Sequence, residues 1–313
     1  PDAGVGATYA WVITGGTINT AANIRNITFT PNATGFVTLQ VTVTPVGSAC
    51  GTVGNKIIPI LTGDFSLDGK PDLLWRNNVN GLNSIWTMNG FVFGSIAGLP
   101  TVADTDYEIV GSGDFDADGK PDIVWRHKTL GFNSIWLMNG LVPASVVNLP
   151  TVSDTNWRIQ AVGDLDGDGK PDIFWRNVVN GNNGVWMMNG TAFAAVIGIP
   201  AVLDTNWDIV GAADFDFDGK IDILWRNRVS GLNGLWMMNG TAFGAVLSLP
   251  AVTAVEWQLV AVGDYDQDGK PDFVWRNKNI GFDAFWKMNG TAPSSVIPFT
   301  DVFDTTWLIA GPK

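Results

Sequence analysis

Gly63-Asp64-Phe65-Ser66-Leu67-Asp68-Gly69-Lys70-Pro71-Asp72 is an acidic, glycine-turned decapeptide that returns at Gly113, Gly163, Ala213 and Gly263. The spacing is 50 residues each time, without insertion. Around it the order of each unit is fixed. An apolar run ends in Trp-Arg-Asn (Trp125-Arg126-His127 in the second unit). A Gly-x-Asn segment follows in four of five units and leads into Trp-x-Met-Asn-Gly. A small-residue apolar stretch then closes on Leu-Pro or Ile-Pro in the first four units, and a segment such as Asp154-Thr155-Asn156-Trp157 opens the next. Fourteen of the 15 Trp fall in this pattern, which leaves Trp11 outside it. A fixed internal period is read before any local propensity, because it dictates the architecture.

Each unit reads as strands. Trp157-Arg158-Ile159-Gln160-Ala161-Val162, Asp172-Ile173-Phe174-Trp175-Arg176 and Gly184-Val185-Trp186-Met187-Met188 alternate as pleated strands do. Asn189-Gly190 predicts a type I′ hairpin turn, and Ala194–Ile199 a fourth strand stopped by Pro200. No stretch has sustained helical periodicity. Four short strands every 50 residues predict an all-β chain, with a five-bladed β-propeller of four-stranded repeats over residues 62–313. Trp75, Trp86 and their counterparts should lie buried between sheets. Thr306–Gly311 matches the strand that precedes every acidic loop, so five units carry six candidates for one slot. The rival, Lys56–Leu61, lacks the Trp and contains Pro59, which donates no ladder hydrogen bond. The C-terminal segment is therefore expected to complete the first blade beside Asp72–Arg76 and remove two open edges. The alternative outcome is that it adds to a neighbouring molecule.

Residues 1–61 do not share the repeat. Tyr9–Ile13 and Phe36–Val43 alternate and are separated by Gly15-Gly16 and Pro31-Asn32 turns, which predicts part of a small β-sandwich. The first residues read as mid-domain sequence without a signal peptide, an expectation that an earlier segment has been removed.

Composition narrows the function classes. With 30 Asp and Glu against 18 Lys and Arg, the formal charge of −12 argues against nucleic acid, whose phosphates need clustered cations. One His and one Cys exclude a zinc or iron site built from several such ligands. No apolar run approaches the roughly 20 residues of a membrane helix.

The acidic loops carry the clearest chemistry. Asp114, Asp116, Asp118 and Asp122 stand at loop positions 1, 3, 5 and 9, with Gly119 at position 6 for the sharp turn that lets them converge. The same positions hold Asp164, Asp166, Asp168 and Asp172; Asp214, Asp216, Asp218 and Asp222; and Asp264, Asp266, Asp268 and Asp272. The first loop holds Asp64, Ser66, Asp68 and Asp72, one charge fewer, and should be the weakest. Hard oxygen ligands in this number suit Ca2+, about five ions, one per repeat. Five would bring the charge from −12 to about −2. An EF-hand needs a bidentate Glu at position 12, where Trp125 stands inside a strand. A solvated Asx-rich turn without an ion is the plainer alternative for any one loop.

These loops, followed by Ile-Val-Trp-Arg and Trp-x-Met-Asn-Gly, resemble the FG-GAP/VCBS-type repeats of bacterial secreted proteins, which are similar to the calcium-bearing blades of integrin α-chains and to a fungal lectin. The resemblance covers residues 62–313 and implies an extracellular, calcium-stabilised propeller in adhesins, lectin-like or surface proteins. Residues 1–61 resemble the later half of a bacterial immunoglobulin-like module, with Tyr9-Ala10-Trp11 before the Gly-Gly turn. That resemblance implies a lost disulfide partner for Cys50; an unpaired small residue is the other reading.

Trp75-Arg76, Trp125-Arg126, Trp175-Arg176, Trp225-Arg226 and Trp275-Arg276 are candidate ligand-binding residues, since indole faces and guanidinium groups suit sugars. The competing reading makes them inter-blade core, each Arg paired with an Asp such as Asp154 or Asp204. His127 has no second His to work with, and the repeated Asp are committed to loops, so no catalytic residue is expected. The chain reads as a non-catalytic, secreted or cell-surface adhesion module for a glycan or a surface protein. The alternative is a self-associating subunit of an extracellular assembly or filament.

Overall fold

The computed structural model describes residues 7–14, 16–31, 36–47, 50–59 and 63–313, and among them there is no helix. The second repeat shows how a blade is made: Tyr107–Gly113, Asp122–His127, Asn133–Asn139 and Val142–Leu149 form a four-stranded antiparallel meander, inner strand first. The next three repeats copy it, with inner strands Trp157–Gly163, Trp207–Ala213 and Trp257–Gly263. The first repeat supplies only Leu73–Asn77, Asn83–Asn89 and Val92–Leu99. Its inner strand is Trp307–Gly311, with Trp307 opposite Asn77 and Ile309 opposite Trp75. Consecutive inner strands touch one another, and the last touches the first, which closes a ring of five blades. The C-terminal closure expected from the sequence is therefore the one formed.

Stacking explains the repeated residues. Each core cluster draws on two adjacent blades: Phe115, Val124 and Ile135 pack on Ile173, Trp175 and Met188, and Leu73 and Trp75 pack on Tyr265 and Phe285 across the closing seam. The Trp75 series is buried, whereas in the Trp86 series only Trp186 is fully so and the others are half-buried.

The Arg of each Trp-Arg pair latches one blade to the next. Arg76 Nη1 donates to Asn83 Oδ1 (2.9 Å) and Nη2 to the carbonyls of Val102 (3.1 Å) and Asp104 (2.9 Å). Its guanidinium lies 5.1 Å from the Trp125 ring centroid of the following blade, and Arg276 closes the series over Trp75 at 4.9 Å. Desolvated pairs of this kind contribute about 2 kcal/mol. Gly81 takes a left-handed φ of +73° beneath this latch, where a Cβ would lie 2.0 Å from the Val102 carbonyl oxygen. The Gly-x-Asn motif is thus the seat of the Arg.

The hairpin after Trp-x-Met-Asn is present, but its type differs from the type I′ expectation. Asn89 still pairs with Val92, so the two-residue turn is Gly90-Phe91, with only the Gly at positive φ (+67°). A glycine first and an ordinary residue second is the pattern of a type II′ turn.

Outside the ring, Thr8–Thr14, Phe36–Thr44 and Thr52–Pro59 form a three-stranded antiparallel sheet in that order, and Gly16–Ile18 pairs with Phe29–Pro31. Lys56–Pro59 accordingly belongs to this sheet; residues 60 and 61, with Gly15 and Asn32 of the expected turns, lie outside the described residues.

Candidate functional site

All five acidic loops sit at the same end of the ring: four join the end of an inner strand to the start of the second strand, and the first leads into the second strand of a blade whose inner strand is Trp307–Gly311. The Asp at position 9 opens the second strand and is buried in every blade. Asp122 accepts from Phe115 N (2.9 Å) and from Met138 N (2.8 Å), which ties the loop to the third strand. Asp114, 6% exposed, accepts from Gly119 N (2.7 Å) and Asp118 N (3.1 Å), curling the loop back on itself. The residue at position 4 is forced to positive φ: Leu67, Ala117, Phe217 and Gln267 lie at 60–66°, and Gly167 alone meets this without strain.

Carboxylate oxygens of Asp114, Asp116 and Asp122 approach within 4.8 Å of one another, as do those of Asp164, Asp166 and Asp172, and of Asp264, Asp266 and Asp272. In the fourth loop the converging set is Asp214, Asp216 and Asp218. Ca2+–O distances of about 2.3–2.6 Å let one ion bridge oxygens so spaced, so these donors fit it. Burial, with the neighbouring carboxylates adding to it, pushes Asp122, Asp172, Asp222 and Asp272 up to about 7 and Asp114, Asp164, Asp214 and Asp264 up to about 6. A divalent cation is what such crowded, desolvated carboxylates lack.

Of the four Asp expected to converge, position 5 joins the converging set only in the fourth loop, through Asp218. Asp118, Asp168 and Asp218 pair with the Lys two residues on, at 2.7, 3.2 and 2.9 Å. In the first loop, Asp64 and Asp68 with Asp72 form no such triple among the described residues, and the Ser66 amide donates to Asp72 Oδ2 at 2.7 Å. The fifth loop holds a resident cation, since Lys287 Nζ pairs with Asp266 and stands 3.7 Å from Asp268. Lys287 is Thr, Leu or Met in the other repeats, a difference visible in the sequence and passed over there.

The Trp-Arg pairs offered as ligand-binding residues are interior. Trp75, Trp125, Trp175, Trp225 and Trp275 are at most 3% exposed, and Arg76, Arg126, Arg176, Arg226 and Arg276 at most 4%. Their donors go to backbone carbonyls and to the Asn83-type side chain, not to the carboxylates of Asp154 or Asp204. Those carboxylates turn their own loops, as Asp154 Oδ1 accepts from Asn156 N at 3.0 Å. The exception is Arg276, whose Asn is replaced by Asp283 at 2.6 Å. His127 does the work of the Asn in the other blades. Its Nδ1 accepts from Leu130 N (3.1 Å), and its Nε2–H faces Asp104 Oδ2 (3.1 Å), as Asn227 Nδ2 faces Asp204. That hydrogen bonding leaves the His127 ring no lone pair to give a metal beside Asp104 and Asp106.

Beyond the loops, a cavity of about 780 Å³ runs down the ring axis, lined by all five inner strands. Pro312 and Lys313 cross it, their carbonyls accepting from Val262 N (3.0 Å) and Val162 N (3.1 Å).

The model of the FG-GAP-like repeat family matches residues 64–125, 114–175, 164–225 and 214–275, four overlapping pairs of loops. No curated protein matches. Among solved structures, the Tc holotoxin pore of Photorhabdus luminescens is similar at 14% identity and a TM-score of 0.40, over 89% of this chain and 16% of that one. The Dos1 propeller is similar at 12% identity and 0.33, over 86% and 68%. An auxiliary nutrient binding protein of Bacteroides thetaiotaomicron is similar at 10% and 0.39, over 94% and 78%. The chain thus spans less than a fifth of the toxin component.

Proposed function

The chain belongs to the FG-GAP-like repeat family, and from that premise we propose that it is a non-catalytic, calcium-stabilised binding module of a secreted or cell-surface protein. The observation that carries this reading is the repeated triple of carboxylates converging in four loops at one end of the ring. Where Ca2+ binds, Asp114, Asp116 and Asp122 would hold it, with their counterparts in the third and fifth loops and Asp214, Asp216 and Asp218 in the fourth. When bound, the ion would supply charge neutralisation, while the Asp122 carboxylate itself ties its loop to the third strand by accepting from Met138 N. A rigid disc so held presents its connecting loops to a glycan or a surface protein, the adhesion role that extracellular setting favours. The opposing reading, a filament built by strand exchange, has less support, because Trp307–Gly311 is already paired inside its own ring. The test is a glycan array probed with the Ca2+-loaded propeller and again in excess chelator. Calcium-dependent binding to a defined set of glycans supports the module. Calcium-dependent self-association with no glycan bound overturns it in favour of the assembly subunit.

A further inference from the structure

Half of the chain's cations meet in one place. Nine of the 18 Lys and Arg line the axial cavity, against two carboxylates, Glu108 and Asp208, in a chain whose formal charge is −12. The cavity is lined at the end away from the acidic loops by the starts of the inner strands and by the residues that follow Trp-Arg-Asn. Asp208 is already engaged: Arg228 Nη1 reaches both its oxygens at 3.2 Å and Gln160 Nε2 donates to it at 3.1 Å. Among the described residues, the side chains of Arg158 and Lys278 have no hydrogen-bond or ion-pair partner. Behind them, Arg76, Arg126 and Arg226 donate through their Nη groups to carbonyls and an Asn amide oxygen, which accept hydrogen bonds without cancelling charge. Crowding is felt, since burial and the neighbouring Arg158 pull Arg126 down to about 10.

The fold does not require these cations. The residue after Trp-Arg-Asn is Asn78, Lys128, Val178, Arg228 or Lys278. Its backbone N–H makes the same bond in each blade, to Asp106 O from Lys128, to Asn156 O from Val178 and to Glu256 O from Lys278, all at 2.9 Å. Val178 does the structural task with no charge. The facing position of the inner strand is Glu108, Arg158, Asp208, Gln258 or Leu308, equally unconstrained. In each inner strand a β-bulge follows: Val110, Gln160, Val210, Val260 and Ala310 are skipped in the pairing and turn toward the axis. The positions that differ between blades therefore concentrate around the cavity.

We propose that the axial cavity binds a small anion carrying two or more negative charges, gripped by Arg158 and Lys278, since Lys128 at the rim is already paired with Asp106 at 3.3 Å. The shared chemistry is several anionic oxygens on a compact scaffold, whether a free polycarboxylate or the sulfated or uronate end of a glycan. The volume falls within the roughly 300–1,000 Å³ of small-molecule sites. The protein's overall negative charge is screened beyond about 8 Å at physiological salt, so a small ligand at the mouth meets the local cations, while an extended polyanion stays repelled. This inference deepens the binding-module reading and rests on it, but uses none of the acidic loops.

The test is calorimetric titration of the full Ca2+-loaded chain with citrate and, separately, with a sulfated disaccharide, at low and at roughly physiological salt. Binding with Kd below about 1 mM, weakened by salt, is expected for at least one probe, and which probe binds assigns the source. Arg158→Ala with Lys278→Ala should cost at least about tenfold in affinity while the melting temperature holds, because neither side chain has a partner to lose. Ser248→Ala on an outer strand should leave affinity unchanged. No saturable binding of either anion, or affinity unaltered in the double variant, overturns the site. Glycan-array binding would then still stand or fall separately, which keeps the two failures apart.

Discussion

At one end of every blade the turn between inner and second strands repeats the same acidic residues, with only Ser66 breaking the set at positions 1, 3, 5 and 9. At the other end, the residues beyond Trp-Arg-Asn run Asn, Lys, Val, Arg, Lys from the first blade to the fifth, and the inner-strand residues of the same blades run Leu, Glu, Arg, Asp, Gln. The same strands build both faces. Where the chain repeats, side chains are tied to backbone amides and carbonyls that every blade offers. Where it varies, they are surplus to the stacking. Repetition thus marks what holds the ring, and variation marks what it presents.

Removing calcium is the largest perturbation that comparison predicts. At free Ca2+ tenfold above Kd each site adds about 1.4 kcal/mol, so four or five sites contribute about 6 kcal/mol that excess chelator abolishes. Differential scanning calorimetry would show the fall in melting temperature, and an unchanged curve would sink the calcium reading. The effect has a pH signature. The aspartates at positions 1 and 9 of the second to fifth loops are raised to about 6–7 when folded, against about 4 unfolded. In cation-free protein their stabilising contribution is present below about pH 4 and lost as pH rises through 6–7. The chelator-induced fall should therefore be wider at pH 8 than at pH 5.5.

Next in size is the latch at the opposite end. Gly131→Ala would drive a Cβ to 2.0 Å from the Val152 carbonyl oxygen at φ +76°, so a loss of about 3 kcal/mol or more is expected in chemical denaturation. Calcium affinity, set at the other face, should stay near its original value.

A smaller effect tests the rule that a break in repetition serves the surface. Asp283 breaks it in the interior: its Oδ1 is buried without a partner, and burial holds it up at about 7 in spite of Arg276 beside it. Its folded-state contribution is lost as pH rises through about 7, so Asp283→Asn should stabilise by about 1 kcal/mol at pH 8 and by little at pH 5.5. Four other blades hold the same Arg on an Asn at 2.9 Å, which is why the exchange should be accepted. Smallest of all, Ala117→Gly relieves a left-handed φ of 60° and should gain about 0.5–1 kcal/mol in the same measurement.

Much of this was legible in the chain. The 50-residue period set the blade count, and the surplus Trp307 strand announced the closure, because both are matters of order along the sequence. Carboxylate spacing placed the loops for the same reason. Direction was harder to read. Trp125-Arg126 looks like sugar-binding chemistry until its neighbours are known, and only the next blade shows that the guanidinium is spent on Val152 and Trp157 carbonyls. Asn189-Gly190 signals a hairpin, yet which two residues form the turn depends on where pairing stops. The axial cavity left no local motif at all, since Arg158 and Lys278 lie 120 residues apart. Aligning the five repeats and marking the positions that differ would have found it.

The closing strand also sets the order in which the molecule can assemble. Asn77 Nδ2 donates to Thr306 Oγ1 across a sequence separation of 229 residues, and Trp307 lies opposite Asn77. Every other blade completes itself from neighbouring segments within one repeat. The first cannot, and during synthesis its three strands must wait, one edge unpaired, until the last repeat has emerged. Contacts of such long range are late and slow to form. The rate-limiting event in folding should accordingly be ring closure at the Arg276–Trp75 seam, with the interior blades already in place, and a nascent chain stalled before Trp307 is the species most in need of a chaperone.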